Sequence, residues 1–418
     1  MHSRVAAVKA PRTHNRRRVT GSSGRRREGR ESEWQRPNMS RRLFCSAVLL
    51  LLVVMMCCGA GGTTVSEGRK SSSGSQSKEY FDWRDVKNEG ESVSFLYVPS
   101  LVDVNGKVFA VAQAQCKKNA ECLFTGIASE LLTLDGGTPK ELETTRVKTQ
   151  VLEKFPSDGA QCPSEAAISD GLQSKKEAYV SRPTTVVKGN DIYMLAGKYS
   201  SEDSEKSGAV DWGLLLVKGN VSKDESNERI YWNDTYGLLW NSKDEHQDTL
   251  KGVIGGGGSG VKMNGDTLVF PVEGTKKGTK DGREEDGKTV SLILYSTDNT
   301  NWKLSKGMSD GGCSDPSIAE WKDGKLMMMT ACDDGRRRVY EIGDKEKSWT
   351  EALGTLSRVW GNSHRRHERG VRSGFTTATL GSDDNRRNVM LVTLPVYFKE
   401  NKTTNATGVL HLWLTDNT

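Results

Sequence analysis

A pair of histidines in a basic segment is the first candidate for chemistry. His364 and His367 lie three residues apart in the segment 364–369, which also carries three arginines and a glutamate. Two imidazoles at this spacing can bind a metal ion, but a metal site needs a third ligand that the sequence does not identify. A solvated basic loop is therefore favoured, with an acidic glycan or protein as a conceivable ligand, and no metal site is predicted.

The glycine-rich run at 255–260 invites comparison with phosphate-binding loops. It reads Gly-Gly-Gly-Gly-Ser-Gly. A phosphate loop ends in Gly-Lys-Ser or Gly-Lys-Thr and leads into a helix, whose first N–H groups bind the phosphate. This run has no such lysine and leads into an apolar, strand-like segment. We therefore predict a tight entry into a strand here and no cofactor.

The N-terminal 62 residues differ in composition from the rest. They are rich in arginine up to Arg42, and an apolar stretch at 47–58 follows. This order is typical of a secretory signal behind a long charged leader, with Met39 as an alternative start, and the stretch is short for a membrane span. We predict a leader and signal at 1–62, with an uncleaved anchor as the alternative, a flexible linker at 63–80 and a folded domain at 81–418.

The net charge of +6 does not indicate a nucleic-acid-binding protein. Residues 1–60 carry 13 Lys and Arg against 3 Asp and Glu, so the rest of the chain has a net charge of −4. A nucleic-acid groove needs a basic patch in the folded part of the chain. We expect no nucleic-acid partner, and contact with a membrane only through an uncleaved leader.

The cysteines outside the leader are odd in number. They are Cys116, Cys122, Cys162, Cys313 and Cys332. At least one must be unpaired or paired between chains in an exported protein. Cys116 and Cys122 flank a short polar segment, so a local disulfide between them and two unrelated buried thiols are both open. No pair has the CxxC spacing of zinc or redox sites.

Five repeated hairpin patterns organise the domain that must position these side chains. Each consists of a short apolar strand, a turn of Gly, Asn or Asp, and a second apolar strand. The turns fall at 105–106, 189–190, 264–265, 323–324 and 383–384. A further strand follows most copies, and the turns are about 60 to 85 residues apart, which fits propeller blades with loops. The sequence predicts an all-β propeller, with an irregular β-sandwich as the alternative.

Two further turns, outside the five hairpin turns, carry an incomplete structural motif. Ser296, Asp298 and Trp302 follow an apolar strand and resemble the Asp box of sialidases, in which Ser and Asp bond a tight turn and Trp packs between strands. Asp344 and Trp349 form a second copy. The first copy lacks the motif's glycine and is one residue short, and the second lacks the leading serine. We predict that both are structural turns.

Longer segments extend this likeness over nearly the whole chain. They include 95–99, 306–310, 313–316, 354–361 and 410–417. With them the chain resembles the trans-sialidase superfamily of trypanosome surface glycoproteins. The resemblance implies a six-bladed sialidase-type β-propeller that is incomplete at the C-terminus, without its last blade and without the lectin-like domain.

Active members of that superfamily bind the carboxylate of sialic acid with three arginines. A planar guanidinium fork matches a carboxylate in charge and geometry. The resemblance places the first arginine at Tyr97, the second at Ala331 and the third within 403–409, which contains no arginine. It therefore implies that the arginine clamp is absent.

The other catalytic positions implied by the resemblance are altered too. The acid/base aspartate aligns with Glu121, and the glutamate that activates the tyrosine nucleophile aligns with Asp315. A pocket aspartate that contacts the N-acetyl region aligns with Arg182, which reverses its charge. The nucleophile is expected beyond Asp416, and the sequence ends at Thr418. We do not expect catalysis, and keep exo-α-sialidase or trans-sialidase activity as the alternative.

The function implied by the resemblance is binding without catalysis. We expect a surface or secreted glycoprotein that reaches the secretory pathway and binds host cell-surface glycans or extracellular proteins. A truncated product that serves antigenic variation is a third interpretation. Four glycosylation sequons suit an exported protein, at Asn220, Asn233, Asn401 and Asn405.

Overall fold

The structure is a computed structural model. It describes residues 75–76, 81–87, 90–118, 122–133, 141–155, 176–200, 212–222, 224, 228–240, 249–280, 283–335, 337–343, 349–352, 373–382, 385–398 and 407–415. The chain divides after Arg69 into two compact units, and all of these residues belong to the second, Lys70–Thr418. They form 24 β-strands and two short 3-10 helices, and no helix among them is long and apolar enough to span a membrane.

Strand β1 (Ser75–Gln76), in the segment expected to be a linker, belongs to the second sheet in chain order. The first sheet has the order β2-β6-β5-β4-β3, with β7 paired to β6. Its strands are β2 (Phe81–Asp85), β3 (Glu91–Val104), β4 (Lys107–Lys118), β5 (Cys122–Leu131), β6 (Lys148–Lys154) and β7 (Lys176–Glu177). All the pairings are antiparallel.

The second and third sheets are also built mainly from antiparallel neighbouring strands. The second has the order β1-β11-β10-β9-β8-β13, and the third has β12-β15-β16-β17 with β14 also paired to β15. The strands are β8 (Thr184–Lys188), β9 (Asp191–Tyr199), β10 (Trp212–Val221), β11 (Ile230–Trp240), β12 (Leu250–Gly255), β13 (Gly258–Ser259), β14 (Val261–Lys262), β15 (Leu268–Lys280), β16 (Arg283–Ser296) and β17 (Lys303–Leu304).

The fourth and fifth sheets complete the described part. The fourth has the order β18-β19-β20-β21 and the fifth β22-β23-β24. Their strands are β18 (Cys313–Glu320), β19 (Leu326–Cys332), β20 (Arg337–Ile342), β21 (Trp349–Glu351), β22 (Gly374–Leu380), β23 (Arg387–Phe398) and β24 (Thr407–Thr415). The 3-10 helices Asn264–Asp266 and Lys322–Gly324 lie at two of the predicted turns.

Side-chain alternation explains how the sheets stack. In β15, Leu268 and Phe270 face the second sheet, whereas Val269 between them faces the fourth. A strand whose two faces are both covered reads as a continuous apolar run, because each face needs its own core. Four core layers of this kind lie between consecutive sheets of the described chain.

The architecture confirms the predicted all-β fold with blade-like sheets. Five sheets follow one another in chain order, antiparallel except for the parallel pair of β13 with β8, and their inner strands β3, β8, β14, β18 and β22 contact each other in sequence. The described part of the chain holds five such sheets, and a six-bladed count stays a prediction.

The cysteines pair differently from the local disulfide considered above. Cys116 is buried and free, because it lies opposite Phe124 on the β4–β5 hairpin while Cys122 lies opposite Lys118. Cys313 and Cys332 lie directly opposite each other on β18 and β19 and form a disulfide, with 4.0 Å between their Cα atoms. Register across a sheet decided the pairing, and closeness in sequence did not.

Candidate functional site

The same backbone distortion occurs immediately before a proline at three places, within β3, just before β8 and within β18. Val98, Arg182 and Asp315 have left-handed φ angles of 49°, 48° and 49°. Each precedes a proline, at 99, 183 and 316. Such angles are rare for residues other than glycine and are strained for a β-branched residue such as Val98. The register shifts at this point in β3 and β18, so the distortion re-aims side chains at one end of the inner strands.

An ion cluster lies at this end of the sheets. Arg182 donates from Nη1 to Glu273 Oε2 over 2.9 Å and from Nη2 to Glu273 Oε1 over 2.5 Å. Its Nη2 also lies 3.2 Å from Asp315 Oδ1 and 2.8 Å from the carbonyl oxygen of Gly256. The backbone N–H of Asp315 donates to Glu273 Oε1 over 2.6 Å. One guanidinium thus holds two carboxylates from different sheets.

The glycine-rich run passes directly beside this cluster. The N–H of Gly257 donates to Thr184 Oγ1 over 2.8 Å, and the N–H of Gly260 donates to the carbonyl oxygen of Thr185 over the same distance. A Cβ on Gly260 would lie 2.2 Å from the carbonyl oxygen of Val269, so only glycine fits there. The run contains β13 and continues directly into β14, which is the tight strand entry predicted above.

Two cavities open beside the cluster. The first has a volume of about 630 Å³ and lies between β3, β13, β14, β18 and the strands of the fifth sheet, where Asp315 contributes to its wall. The second is a cleft of about 480 Å³. Its wall is formed by residues of the first sheet together with one tyrosine that precedes β8: Tyr97, Val98, Gln113, Gln115, Leu123, Phe124, Thr125 and Tyr179.

Tyr97 lies in the cleft, where its phenol is fixed by a hydrogen bond from its hydroxyl to Gln115 Oε1 over 3.0 Å. The neighbouring Gln113 accepts a hydrogen bond from the backbone N–H of Arg182 over 3.0 Å. The structure therefore brings Tyr97, Arg182 and Asp315 to one end of the sheets, although they are far apart in sequence.

Ala331 occupies a different environment. It is only 2% exposed and lies opposite Arg337 in the β19–β20 pairing. Arg337 is itself 1% exposed, and burial lowers the pKa of its guanidinium to about 10. The space at Ala331 is closed by packing.

The Asp298 carboxylate organises the turn between β16 and β17. Its Oδ1 accepts hydrogen bonds from the backbone N–H of Thr300 over 2.9 Å and of Asn301 over 2.7 Å. The Asn301 backbone and side-chain donors hold the pKa of Asp298 well below its usual value. The following Trp302 is fully buried, with its ring centroid 5.5 Å from that of Phe270. Ser296 donates to Asp298 Oδ1 over 3.1 Å.

Several predicted site residues lie outside the described residues. They are Glu121, Asp344, the sequons at Asn401 and Asn405, and His364 and His367. Trp349 packs with its ring centroid 6.1 Å from that of Tyr340. Asn220 on β10 and Asn233 on β11 are exposed. Within the described ranges, no group of three or more His, Cys, Asp or Glu side chains is placed to hold a metal ion.

Sequence reasoning missed Glu273 and the two glutamines. Glu273 ends the apolar run Leu268 to Val272, and Gln113 and Gln115 alternate with alanines in β4. Polar residues inside apolar strands were the available signal, because a buried polar side chain requires a partner. Their partners lie far away in the sequence or on a neighbouring strand, and the sequence does not reveal them: Glu273 and Gln113 bond Arg182, and Gln115 bonds Tyr97 of the adjacent strand.

The family model and the related sequences that match this chain agree with one another. The model of the BNR repeat-like domain matches residues 98–418. A sialidase of Trypanosoma cruzi is 37% identical over 269 residues, which cover 62% of this chain and 22% of that protein. Sialidase 85-1.1 of the same organism is 38% identical over 246 residues, which cover 57% of this chain and 31% of that protein.

Solved structures show the same relationship. Trypanosoma rangeli sialidase bound to the inhibitor DANA has a TM-score of 0.51 and 28% identity, over 77% of this chain and 47% of that one. Its complex with sialic acid has a TM-score of 0.50 and 27% identity, over 80% and 51%. The chain thus spans between about a fifth and about a third of the two curated relatives and about half of the solved enzyme. It belongs to the BNR repeat-like domain family and is a homologue of the trypanosome sialidases.

Proposed function

We propose that this chain is a sialidase-like glycoprotein that binds extracellular glycans or proteins without catalysis. The observation that carries the proposal is that the guanidinium of Arg182 is already bonded to other protein groups. This guanidinium lies at the same end of the sheets as Tyr97 and Asp315, and it is held by Glu273, Asp315 and the Gly256 carbonyl.

Charge at the site supports the proposal. The cluster of Arg182, Glu273 and Asp315 carries one positive and two negative charges, which sum to −1. Among the described residues of the cluster, the one cation is already held by Glu273, so a sialic acid carboxylate brought beside it would lose water without a cation of its own, which costs several kcal/mol by the usual penalty for burying an unpaired ion. Tyr97 and Ala331 stand at two positions where the resemblance calls for an arginine and offer no charge.

The first experiment separates binding from catalysis. The purified chain is incubated with sialylated glycoproteins, and free sialic acid and transfer to lactose are measured beside binding to glycans, matrix proteins and cells. We expect saturable binding without release or transfer. Absence of saturable binding to all three classes would contradict the proposal.

Residual sialidase or trans-sialidase activity is the second candidate. It is favoured by the homology to sialidases and by the carboxylate of Asp315, which lines the larger cavity. Glu121 would supply the proton in that case. Substitution of Glu121 with Gln should then abolish release of sialic acid, while an unchanged rate would assign the activity to something else.

Export and glycosylation complete the proposal. The leader at 1–62 would direct the chain into the secretory pathway, and from there to the cell surface or the medium. The exposed sequons at Asn220 and Asn233 would carry glycans. Treatment with an amidase that removes N-linked glycans should then lower the apparent mass of the secreted chain, and Asn233→Gln should remove one step of that shift.

A further inference from the structure

We propose that the cleft between Tyr97 and Tyr179 binds an uncharged pyranose, such as a galactose or N-acetylhexosamine unit of a neutral glycan. The inference rests on the proposed binding function and names its ligand class. The cleft volume of about 480 Å³ lies within the range of about 300–1,000 Å³ that is typical of small-molecule sites.

Exposed apolar side chains converge on the cleft. Tyr179 and Leu123 are each 67% exposed, and Tyr97 is 43% exposed. Phe95, with its ring centroid 6.2 Å from that of Tyr97, extends the aromatic surface beyond the cleft. Large apolar groups gathered on a surface indicate a binding site, because their burial by a ligand is favourable. The C–H face of a pyranose packs against such rings, whose faces carry partial negative charge.

Uncharged polar groups lie among these rings. Gln113, Gln115 and Thr125 contribute to the same wall. Both amide oxygens accept protein hydrogen bonds, Gln115 from Tyr97 and Gln113 from the N–H of Arg182. Each amide therefore has its NH₂ group oriented by its fixed oxygen, and an NH₂ group is a donor for the hydroxyl oxygens of a sugar.

The charges around the cleft determine the ligand class. None of the described residues in its wall is charged. Arg182 contributes only its backbone N–H to this side, since its guanidinium is held by Glu273 and Asp315. A carboxylate or sulfate in the cleft would meet no cation among these described wall residues, whereas hydroxyl groups find the amides. The lining selects a neutral sugar over an acidic one.

Both tyrosines are attached to well-fixed backbone. Tyr97 precedes the left-handed residue Val98. Tyr179 is followed by Val180, whose N–H donates to Thr125 Oγ1 over 2.8 Å, and by Ser181, whose N–H donates to the Ala196 carbonyl over 2.9 Å. A preorganised surface loses little entropy on binding, which lowers the cost of binding a sugar.

The test compares matched glycans on matched variants. A panel of neutral oligosaccharides that end in galactose, N-acetylglucosamine, N-acetylgalactosamine or mannose is immobilised beside the sialylated or sulfated counterpart of each. We expect the folded chain to bind at least one neutral member more tightly than its acidic counterpart. Tyr97→Ala and Tyr179→Ala should each weaken that binding by about 10-fold or more, while Tyr97→Phe, which keeps the ring, should lose less.

Leu380→Ala is the matched control, since Leu380 is an exposed apolar residue of the fifth sheet outside the cleft. It should leave binding unchanged, and thermal unfolding should show all variants folded. Preference for the acidic members, or neutral binding that the tyrosine variants leave unchanged, would overturn this inference while the proposed binding function stands. Absence of binding to every member of the glycan panel would overturn this inference. The proposed binding function would be overturned only if the chain also failed to bind matrix proteins and cells.

Discussion

Arg182 and Glu273 link the second and third sheets through two hydrogen bonds of 2.9 and 2.5 Å. Glu273 is 8% exposed, so this guanidinium supplies the charge that its carboxylate needs. The same arginine reaches Asp315 of the fourth sheet. Arg182, which the resemblance places at a pocket position, therefore connects residues of three neighbouring sheets through its hydrogen bonds.

Substitution of Arg182 should destabilise the fold. Arg182→Met leaves the Glu273 carboxylate without its cation, and we expect the free energy of unfolding to fall by about 3 kcal/mol, the lower end of the cost of breaking a buried pair. Denaturant unfolding measures this. The double variant with Glu273→Met should recover part of the loss, because no orphaned charge remains.

The exposed pair Lys218 and Asp191, 2.9 Å apart, provides the control. Lys218→Met should cost less than about 1 kcal/mol. Equal losses for Arg182→Met and Lys218→Met would show that the cluster does not stabilise the fold.

Introducing an arginine at position 331 should destabilise the protein, because the position is tightly packed. Ala331→Arg would place a second guanidinium opposite the buried Arg337, and we expect a loss of about 2–4 kcal/mol from overpacking and like-charge repulsion. Ala331→Met adds similar volume without charge and should cost less. If thermal unfolding gives the same midpoint for both variants, volume alone accounts for the effect.

The Cys313–Cys332 disulfide should stabilise the fourth sheet. It closes a loop with a sequence separation of 19, for which loop-closure entropy predicts about 3 kcal/mol. The double variant Cys313→Ala with Cys332→Ala should unfold at lower denaturant concentration than the oxidised chain. Reductant should destabilise the native protein but leave the double variant unchanged, and an effect of reductant on both would locate the sensitive bond elsewhere.

Asp298 should contribute to the free energy of unfolding in a way that depends on pH. Its pKa is lowered in the folded state by donors from Asn301 and Thr300, so its stabilisation is present above the unfolded pKa of about 3.9 and is lost as the pH falls through the folded value. Asp298→Asn should cost on the order of 1 kcal/mol near neutral pH. The difference from wild type should shrink when unfolding is measured at increasingly acid pH.

Salt distinguishes this turn from a surface ion pair. The Asp298 partners are uncharged donors, so its effect should persist at about 1 M salt, where the Debye length is about 3 Å. Asp266 instead pairs with Lys262 over 3.0 Å, and any effect of Asp266→Asn should disappear there. Loss of the Asp298 effect in salt would contradict the hydrogen-bond account.

The sequence predicts the strands well where a turn residue separates two apolar runs. Asn105-Gly106 places β3 and β4 correctly, because both residues adopt the left-handed angles that such hairpins need. The short apolar strand predicted before this turn covers only 100–104 of β3, because Pro99 and the bulge at Val98 interrupt the period of the part that begins at Glu91. The Glu273 contact and the Cys313–Cys332 pair join separate strands, and local patterns carry no information on such register.

The central claim is that this sialidase homologue binds without catalysis, and one assay tests it most directly. The purified, folded chain is incubated with 3′-sialyllactose, and free sialic acid is quantified beside a trypanosome sialidase as positive control. The arrangement of Tyr97, Ala331 and the neutralised Arg182 predicts release no greater than that from a heat-denatured blank. Release that rises with protein concentration and saturates with substrate would contradict it.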